Sequence, residues 1–467
     1  MQARLRFLGA ARNVTGSRHL LEFEDTRILV DCGLYQERQF RSRNWDPFVV
    51  PPASIQAVLL THAHLDHCGL LPKLVKEGFK GKIHCTEATA EIAKIILLDA
   101  GHLQEEDAAY KRKRHEKQGR DTSKDVPLYT MADAEACFPL FAPVRYGQEI
   151  GIRPDVKATF HEAGHVLGSS FIDVQYSKNG QTRNVLFSGD MGRADRPILR
   201  DPESAKEADY LLVESTYGDR VHEPTEAIKP KIAEIINATK AAGGNIIVPS
   251  FALERAQELL YFISELIVEK AIPHVMVFLD SPMAGSITKV FRHHPELFDK
   301  DMQRFVRRNG SPFDFADLKI TQSTDESKAI NQIKGTVVVI AGSGMCTGGR
   351  IKHHLVNNIS RPESTIMFVG YQAIGTLGRR IVNGEKEVRI LGSNRSVQAR
   401  IAQVHGFSAH ADREELLTWL QTLKRPPRKL FVVHGEAESA QQFGRFVREE
   451  TGWEVVVPDY QDEAILD

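Results

Sequence analysis

Thr61-His62-Ala63-His64-Leu65-Asp66-His67 places three imidazoles and one carboxylate on a single tight turn. Just before it, Ala57-Val58-Leu59-Leu60 is apolar and reads as a buried strand. Just after it, Leu70-Leu71-Pro72-Lys73-Leu74 reads as the entry to a helix. A ligand cluster at the carboxyl end of a strand is where an α/β fold places its chemistry. Imidazole nitrogen and carboxylate oxygen are the ligands of zinc sites that keep an open coordination position; closed structural sites favour thiolates. A histidine-rich surface loop binding metal only incidentally would need no partners elsewhere in the chain.

Partners are present, and two ions would need them, because four ligands on one turn cannot enclose both. His165 lies in Phe160-His161-Glu162-Ala163-Gly164-His165, between glycines that let backbone approach a crowded centre. Val185-Leu186-Phe187-Ser188-Gly189-Asp190 is a strand ending in a carboxylate able to bridge two cations. Leu430-Phe431-Val432-Val433-His434 is another strand ending in a histidine. Three of the four places share one pattern, an apolar strand with the ligand at its carboxyl end.

These residues resemble the signature of the metallo-β-lactamase superfamily, His-x-His-x-Asp-His followed by a distant His, Asp and His. The resemblance implies that His62, His64 and His165 hold a first zinc ion, that Asp66, His67 and His434 hold a second, and that Asp190 bridges them. Asp31, at the end of Arg27-Ile28-Leu29-Val30, matches the early aspartate and is expected to orient ligands from behind. His161 is read as a pocket residue or a partner of a ligand, and His19 as strand decoration.

A chain of 467 residues is too long for one core. Its 42% hydrophobic and 26% charged content is that of a soluble globular protein. No secretory or membrane-spanning segment is read, and five irregularly spaced cysteines suggest reduced thiols, so a cytoplasmic location is expected. A net charge of −1 excludes indiscriminate coating of nucleic acid, which needs a basic surplus, so any RNA contact must be local. Lys111-Arg112-Lys113-Arg114-His115, after a helical stretch over 91–109, is either a solvated helix face or an RNA-guiding arm.

Between Asp190 and His434 no ligand occurs, which is the mark of an insertion. Strand and helix alternate there: Asn245-Ile246-Ile247-Val248 then a helix from Phe251; Val275-Met276-Val277-Phe278-Leu279 then a helix from Pro282. Thr336-Val337-Val338-Val339-Ile340 and Thr365-Ile366-Met367-Phe368-Val369 repeat the theme. Such alternation implies a parallel, doubly wound sheet. Ser250 and Ser281-Pro282 are suited to helix starts, and Thr347-Gly348-Gly349-Arg350 and Thr376-Leu377-Gly378-Arg379 are nearly repeats. Helix entries along one sheet edge favour phosphate. Ser250, Arg255, Ser281, Gly344, Thr347, Arg350, Thr376, Arg379 and Ser408 are therefore the candidate RNA phosphate contacts.

The insertion resembles the β-CASP domain of the superfamily's nuclease branch. Val213-Glu214-Ser215-Thr216, Phe407-Ser408-Ala409-His410-Ala411-Asp412 and Val433-His434-Gly435-Glu436 match its three added motifs. A histidine in the third is the RNA-processing pattern, and Gly9-Ala10-Ala11-Arg12-Asn13-Val14-Thr15-Gly16-Ser17 and Pro249-Ser250-Phe251-Ala252-Leu253-Glu254-Arg255 resemble the branch typified by the cleavage and polyadenylation endonuclease and its bacterial relatives. The expected architecture is an αββα metallo-β-lactamase sandwich over residues 1–208, an inserted doubly wound β-CASP domain over 209–394, and a return segment over 395–467. Neither the archaeal KH extension nor the carboxyl-terminal extension of the ribonuclease J group is recognised.

The implied activity is zinc-dependent hydrolysis of RNA phosphodiester bonds, endonucleolytic with 5′–3′ exonuclease action as a second mode, using two zinc ions per chain. His410 is the candidate general acid, Glu214 the carboxylate that fixes its ring, and Asp66 a ligand that also orients the nucleophile. Single-stranded RNA is the expected partner and a homodimer is compatible with the chain; no membrane is involved. The competing readings are a thioesterase or lactonase with the same metal set and a non-catalytic scaffold subunit. The long insertion, Glu214 and His410 disfavour the first; the complete ligand set disfavours the second.

Overall fold

The computed structural model describes residues 2–223, 227–373 and 375–467. It divides into two compact units, one comprising Met1–Asp195, Asp201–Val221 and His410–Asp467, the other Arg196–Arg200 and His222–Ala409.

The first unit contains two seven-stranded sheets. In one, Thr26–Val30, Ala57–Leu59, Lys82–Thr86 and Phe141–Val144 run parallel in that order. In the other, the parallel run is Gln181–Phe187, Tyr210–Val213, Lys429–Val432 and Val455–Val456. The period of two decides which residues fill the space between the sheets. Tyr210, Leu212 and Phe431 point into the shared core with Phe7, Phe160 and Ile172. Their neighbours Leu211, Val213, Leu430 and Val432 point the other way, onto Trp419, Leu420, Phe443 and Val447 of the helices Arg413–Leu420 and Ala437–Thr451. Sheet on sheet with helices outside is the expected αββα sandwich. Because these strands are parallel, the residues following them gather at one edge of each sheet, which is where Asp31, Thr61, Asp190, Glu214 and His434 lie.

The second unit is a six-stranded parallel sheet in the order Leu318–Ile320, Met276–Asp280, Val337–Ala341, Ile246–Pro249, Thr365–Phe368, Arg400–Gln403. The units divide at 221/222 and 409/410 rather than at the expected 208/209 and 394/395. Ladder membership is the reason: Tyr210–Val213 is hydrogen-bonded between two strands of the first unit, and Arg400–Gln403 continues the sheet of the second.

Two helix starts illustrate local control. Ser281 caps Pro282–His293 as expected, its hydroxyl accepting from Ala284 N at 3.2 Å. The helix expected from Phe251 instead begins at Arg255, because Glu254 adopts φ +65° and the Ser250 hydroxyl donates to the Phe251 carbonyl at 3.0 Å. Ser250 is therefore not a helix cap.

Asp280, fully buried at the end of its strand, fastens this sheet. It accepts from Arg350 at 2.7 Å, from Ser327 at 2.5 Å and from Thr321, and lies 2.5 Å from His354 Nε2. Burial alone would raise its pKa, but the hydrogen bonds from His354, Ser327, Thr321 and Arg350 hold it well below the usual carboxylate range. A depressed folded-state pKa stabilises above the unfolded value near 4, and that stabilisation is lost as the pH falls through the folded value. Asp280→Asn is expected to cost about 3–5 kcal/mol, the scale for breaking a buried ion pair, as read by urea unfolding at pH 7. A loss below about 1 kcal/mol would show that Asp280 is not the fastening point.

Candidate metal centre

The turn after Ala57–Leu59 is closed by the short helix Leu65–Cys68, with His64 at its N-cap. The parallel neighbour places Asp31 beside the turn: Asp31 N donates to Leu59 O at 3.0 Å, and Thr61 N donates to Asp31 Oδ1 at 2.8 Å. Asp31 and His434 both sit at positive φ, +60° and +50°, where the backbone turns sharply to aim a side chain inward.

Seven side chains converge in two sets. His62 Nε2 lies 3.0 Å from His64 Nδ1, which lies 3.2 Å from His165 Nε2. Asp190 Oδ2 is 3.4 Å from His62 and 3.6 Å from His165. In the second set His67 Nε2 and His434 Nε2 are 2.9 Å apart, and Asp66 Oδ2 is 3.7 Å from His434. Asp190 Oδ1 faces this set, 3.2 Å from His67 and 3.5 Å from His434. The two oxygens of Asp190 thus address different sets.

The residues fit a cation in each set. Bonds of 2.0–2.1 Å to a tetrahedral zinc imply ligand–ligand separations of about 3.3 Å, close to those found. Three imidazole nitrogens at mutual contact cannot all be satisfied by hydrogen bonds among themselves. Asp190 Oδ1 is buried and accepts no well-formed hydrogen bond despite its two imidazole neighbours, because these groups aim at a common point rather than at one another.

Charge follows the same division. Burial, with mutual repulsion, lowers the pKa of His62, of His64 (to about 3) and of His165, leaving neutral rings with free lone pairs. Burial also opposes charging of His67 and His434, but Asp190 with Asp31 raises the first, and Asp190 with Asp66 raises the second. Protons there balance a carboxylate excess that a divalent cation would balance instead.

Behind the ligands, Asp31 Oδ2 lies 2.7 Å from His67 Nδ1, and Thr61 Oγ1 lies 3.1 Å from His62 Nδ1. Thr216 Oγ1 holds His434 Nδ1 at 3.1 Å. The two threonines escaped the sequence reading; the only signal was their place next to His62 and close after Glu214. Asp31→Asn is expected to weaken zinc affinity roughly 10–100-fold, measured by competition with a chromophoric chelator. Unchanged affinity would reduce Asp31 to a turn residue.

His410 stands beside the first set, its ring 4.4 Å from that of His165, and its Nδ1 lies 3.0 Å from Glu214 Oε1. Burial pushes its pKa down, but Glu214 and Asp190 override this and raise it to about 9. Glu214, fully buried, also accepts from Met191 N at 2.7 Å, so its carboxylate is fixed.

Of two further histidines, His161 lines a cavity, one of the two roles expected for it, and His19 departs from its expectation. Phe160 fills the core, so His161 points to the opposite face of its strand, away from the ligands, where it stacks on Phe171 and lies 3.1 Å from Glu203 in a cavity of about 480 Å³. His19 is not decoration: buried against Phe7, it lines a cavity of about 20 Å³ with Asp31, Thr61, His67 and His434.

The candidate phosphate residues, all in the second unit, follow or flank strands of its parallel sheet. Thr376 caps Leu377–Val382, accepting from Arg379 N at 3.2 Å. Thr347 is no cap, its hydroxyl lying 3.1 Å from that of Ser343. Arg350 is engaged by Asp280 and by Gln322 O, and Arg255 by Glu258 at 2.7 Å. Ser408 is half-buried, and Gly344 lies under the Phe251 ring. Lys111–Arg114 lie exposed on a helix that runs over Glu87–Lys117, longer than expected because the charged run is made of good helix formers. Among the described residues no helix is long and apolar enough to cross a membrane.

Comparison with known proteins gives the family. The metallo-beta-lactamase superfamily domain model matches residues 20–193, the Beta-Casp domain model 256–381, and the Zn-dependent metallo-hydrolase RNA specificity domain model 394–458. A Thermus thermophilus protein named as a ribonuclease is 38% identical over 439 residues, 94% of each chain. The transcription termination factor FttA of Methanocaldococcus jannaschii is 32% identical over 95% of this chain and 69% of its own length. A crystal structure of an Enterococcus faecalis protein of unknown function superposes with a TM-score of 0.57 at 11% identity over 100% of both chains, a likeness of fold alone. With its ligand turn, its inserted parallel sheet and relatives alike over nearly its whole length, this chain belongs to the β-CASP branch of the metallo-β-lactamase superfamily.

Proposed function

We propose that this protein is a metal-dependent ribonuclease that hydrolyses phosphodiester bonds of single-stranded RNA in RNA processing or decay, holding two zinc ions and cutting endonucleolytically with 5′–3′ exonuclease action as a second mode. The observation that carries this reading is the division of seven ligand side chains into two sets sharing Asp190, with a histidine–carboxylate pair beside them. The ribonuclease name of the Thermus relative and the RNA specificity model support the substrate. Five free, buried thiols support a reducing cytoplasm.

His62, His64, Asp66, His67, His165, Asp190 and His434 would hold the divalent cations, which would supply Lewis acidity to water and to the phosphoryl group. The chain's own residues do the rest. In-line attack of water on phosphorus breaks the bond to O3′, leaving a 3′-hydroxyl and a 5′-phosphate. The departing ribose oxygen needs a proton, and the contact with Glu214, which holds His410 positive, supports His410 as its donor. The exposure of Asp66, 18% against 2% for Asp190, supports it as the carboxylate that orients the incoming water. A thioesterase or lactonase has no need of the His410–Glu214 pair, and a scaffold subunit has no need of the full ligand set.

Zinc-loaded protein is expected to cut 5′-labelled single-stranded RNA in preference to duplex DNA. A chelator should abolish cleavage, zinc should restore it, and added salt should slow it as phosphate contacts are screened. Efficient hydrolysis of a thioester or lactone with RNA left intact would overturn the assignment.

A further inference from the structure

The second unit carries two large aromatic rings in unusual exposure at the carboxyl edge of its sheet. Phe251 is 46% exposed and Tyr371 52%. They follow Ile246–Pro249 and Thr365–Phe368, neighbouring parallel strands paired at Ile246–Thr365 and Ile247–Ile366, so both rings stand just beyond adjacent strand ends. Neither ring packs against another aromatic among the described residues.

The Phe251 ring rests on the Gly344 segment, and the loop that carries Tyr371 is tied to the same segment. A Cβ on Gly344 would lie 2.8 Å from the Phe251 ring, so the missing side chain at 344 is what lets that ring settle on the backbone. Gln372, buried at 5% exposure, reaches from the Tyr371 loop to the carbonyl of Gly344 at 3.0 Å, and to those of Gly370 and Tyr371 at 3.1 Å. Gly378 N donates to Met345 O at 3.2 Å and closes the same lacing. The loops after three neighbouring strands are thereby tied into one support for the two rings. Nearby, half-buried Arg379 forms no ion pair among the described residues.

Leaving two aromatic faces in water on a stiff support is costly unless something covers them. Base–aromatic stacking tolerates any sequence, because every base presents a π-face, and an unpaired guanidinium complements the phosphates between bases. We infer that Phe251 and Tyr371 are base-stacking platforms for single-stranded RNA, seated by Gly344 and Gln372, so that this edge grips bases as well as phosphates. The inference rests on the ribonuclease reading and deepens it. It also reassigns Gly344 from phosphate contact to positioning residue.

The test is binding of a fluorescent single-stranded 12-nucleotide RNA to zinc-loaded protein, carried out in a His410→Ala background so that the probe survives. Phe251→Ala and Tyr371→Ala are each expected to weaken binding roughly 5- to 100-fold, while Phe251→Trp and Tyr371→Phe stay close to the parent. Gly344→Ala should weaken binding in the same direction by unseating the ring. Abasic nucleotides introduced one position at a time should weaken binding to the parent at particular positions and cost nothing further in the alanine variants. Both rings are half-exposed, so melting temperatures should hold and report intact folding. Equal affinity of parent and folded alanine variants for intact and abasic RNA would overturn the platform. So would a change in self-association with RNA affinity unaltered, which would make the rings a protein contact. An otherwise native protein that cuts no RNA would instead remove the ribonuclease reading, and the platform with it.

Discussion

Asp190→Ala is expected to strip metal from both ligand sets at once, whereas His165→Ala should empty only the first. The difference follows from the carboxylate geometry: Oδ2 faces His62 and His165, and Oδ1 faces His67 and His434. Each set would keep three other ligands, His62, His64 and His165 on one side and Asp66, His67 and His434 on the other. They would lose the charge that offsets a divalent cation in a buried site, and uncompensated charge in such a site costs several kcal/mol. On the two-zinc reading, elemental analysis after dialysis should fall from two ions per chain to fewer than one in Asp190→Ala, and to about one in His165→Ala. RNA cleavage by Asp190→Ala should sink to background. Retention of one full ion by Asp190→Ala would place this carboxylate in a single set and end its bridging role.

His410→Ala should have the next largest effect, of a different kind. The side chain is no member of either ligand set, so metal content should be unchanged, while single-turnover cleavage slows by roughly 10²–10⁴-fold, the range for a general acid. Affinity for RNA should move much less, because the lost interaction belongs to the transition state. Glu214→Gln should act in the same direction, since a neutral amide supports the positive ring less well than the carboxylate 3.0 Å away. The local backbone does not depend on the imidazole: Ala411 N donates to Met191 O at 2.8 Å, and residue 410 pairs with Gly192 through main-chain atoms. The alanine variant should therefore fold. If metal-loaded, folded His410→Ala turns RNA over at a near-normal single-turnover rate, the proton must come from elsewhere.

The sequence by itself determined the ligand turn and the grammar of the site. His62, His64, Asp66 and His67 lie so close along the chain that no plausible fold could separate them. Asp190 and His434 follow short apolar runs that read as buried strands, and the βα alternation of the second unit declares a parallel sheet. These are local properties, set by period and by the residues at strand ends.

Tertiary structure decided what depends on distant partners. His67 and His434, 367 positions apart, meet at 2.9 Å only because strands of two different sheets end at the same place. Thr216 likewise reaches His434 Nδ1 across 218 positions, whereas Thr61 needs only its chain neighbour His62. The period of two turned His161 away from the ligands while burying His19 behind them. In the second unit the near-repeat Thr-x-Gly-Arg was split into unlike roles: Thr376 caps a helix, whereas Arg350 is captured by Asp280, a residue 70 positions away. Short-range patterning fixes which residues lie at the ends of strands; which of them come into contact is set by strand order and register, and those are settled only when the whole sheet assembles.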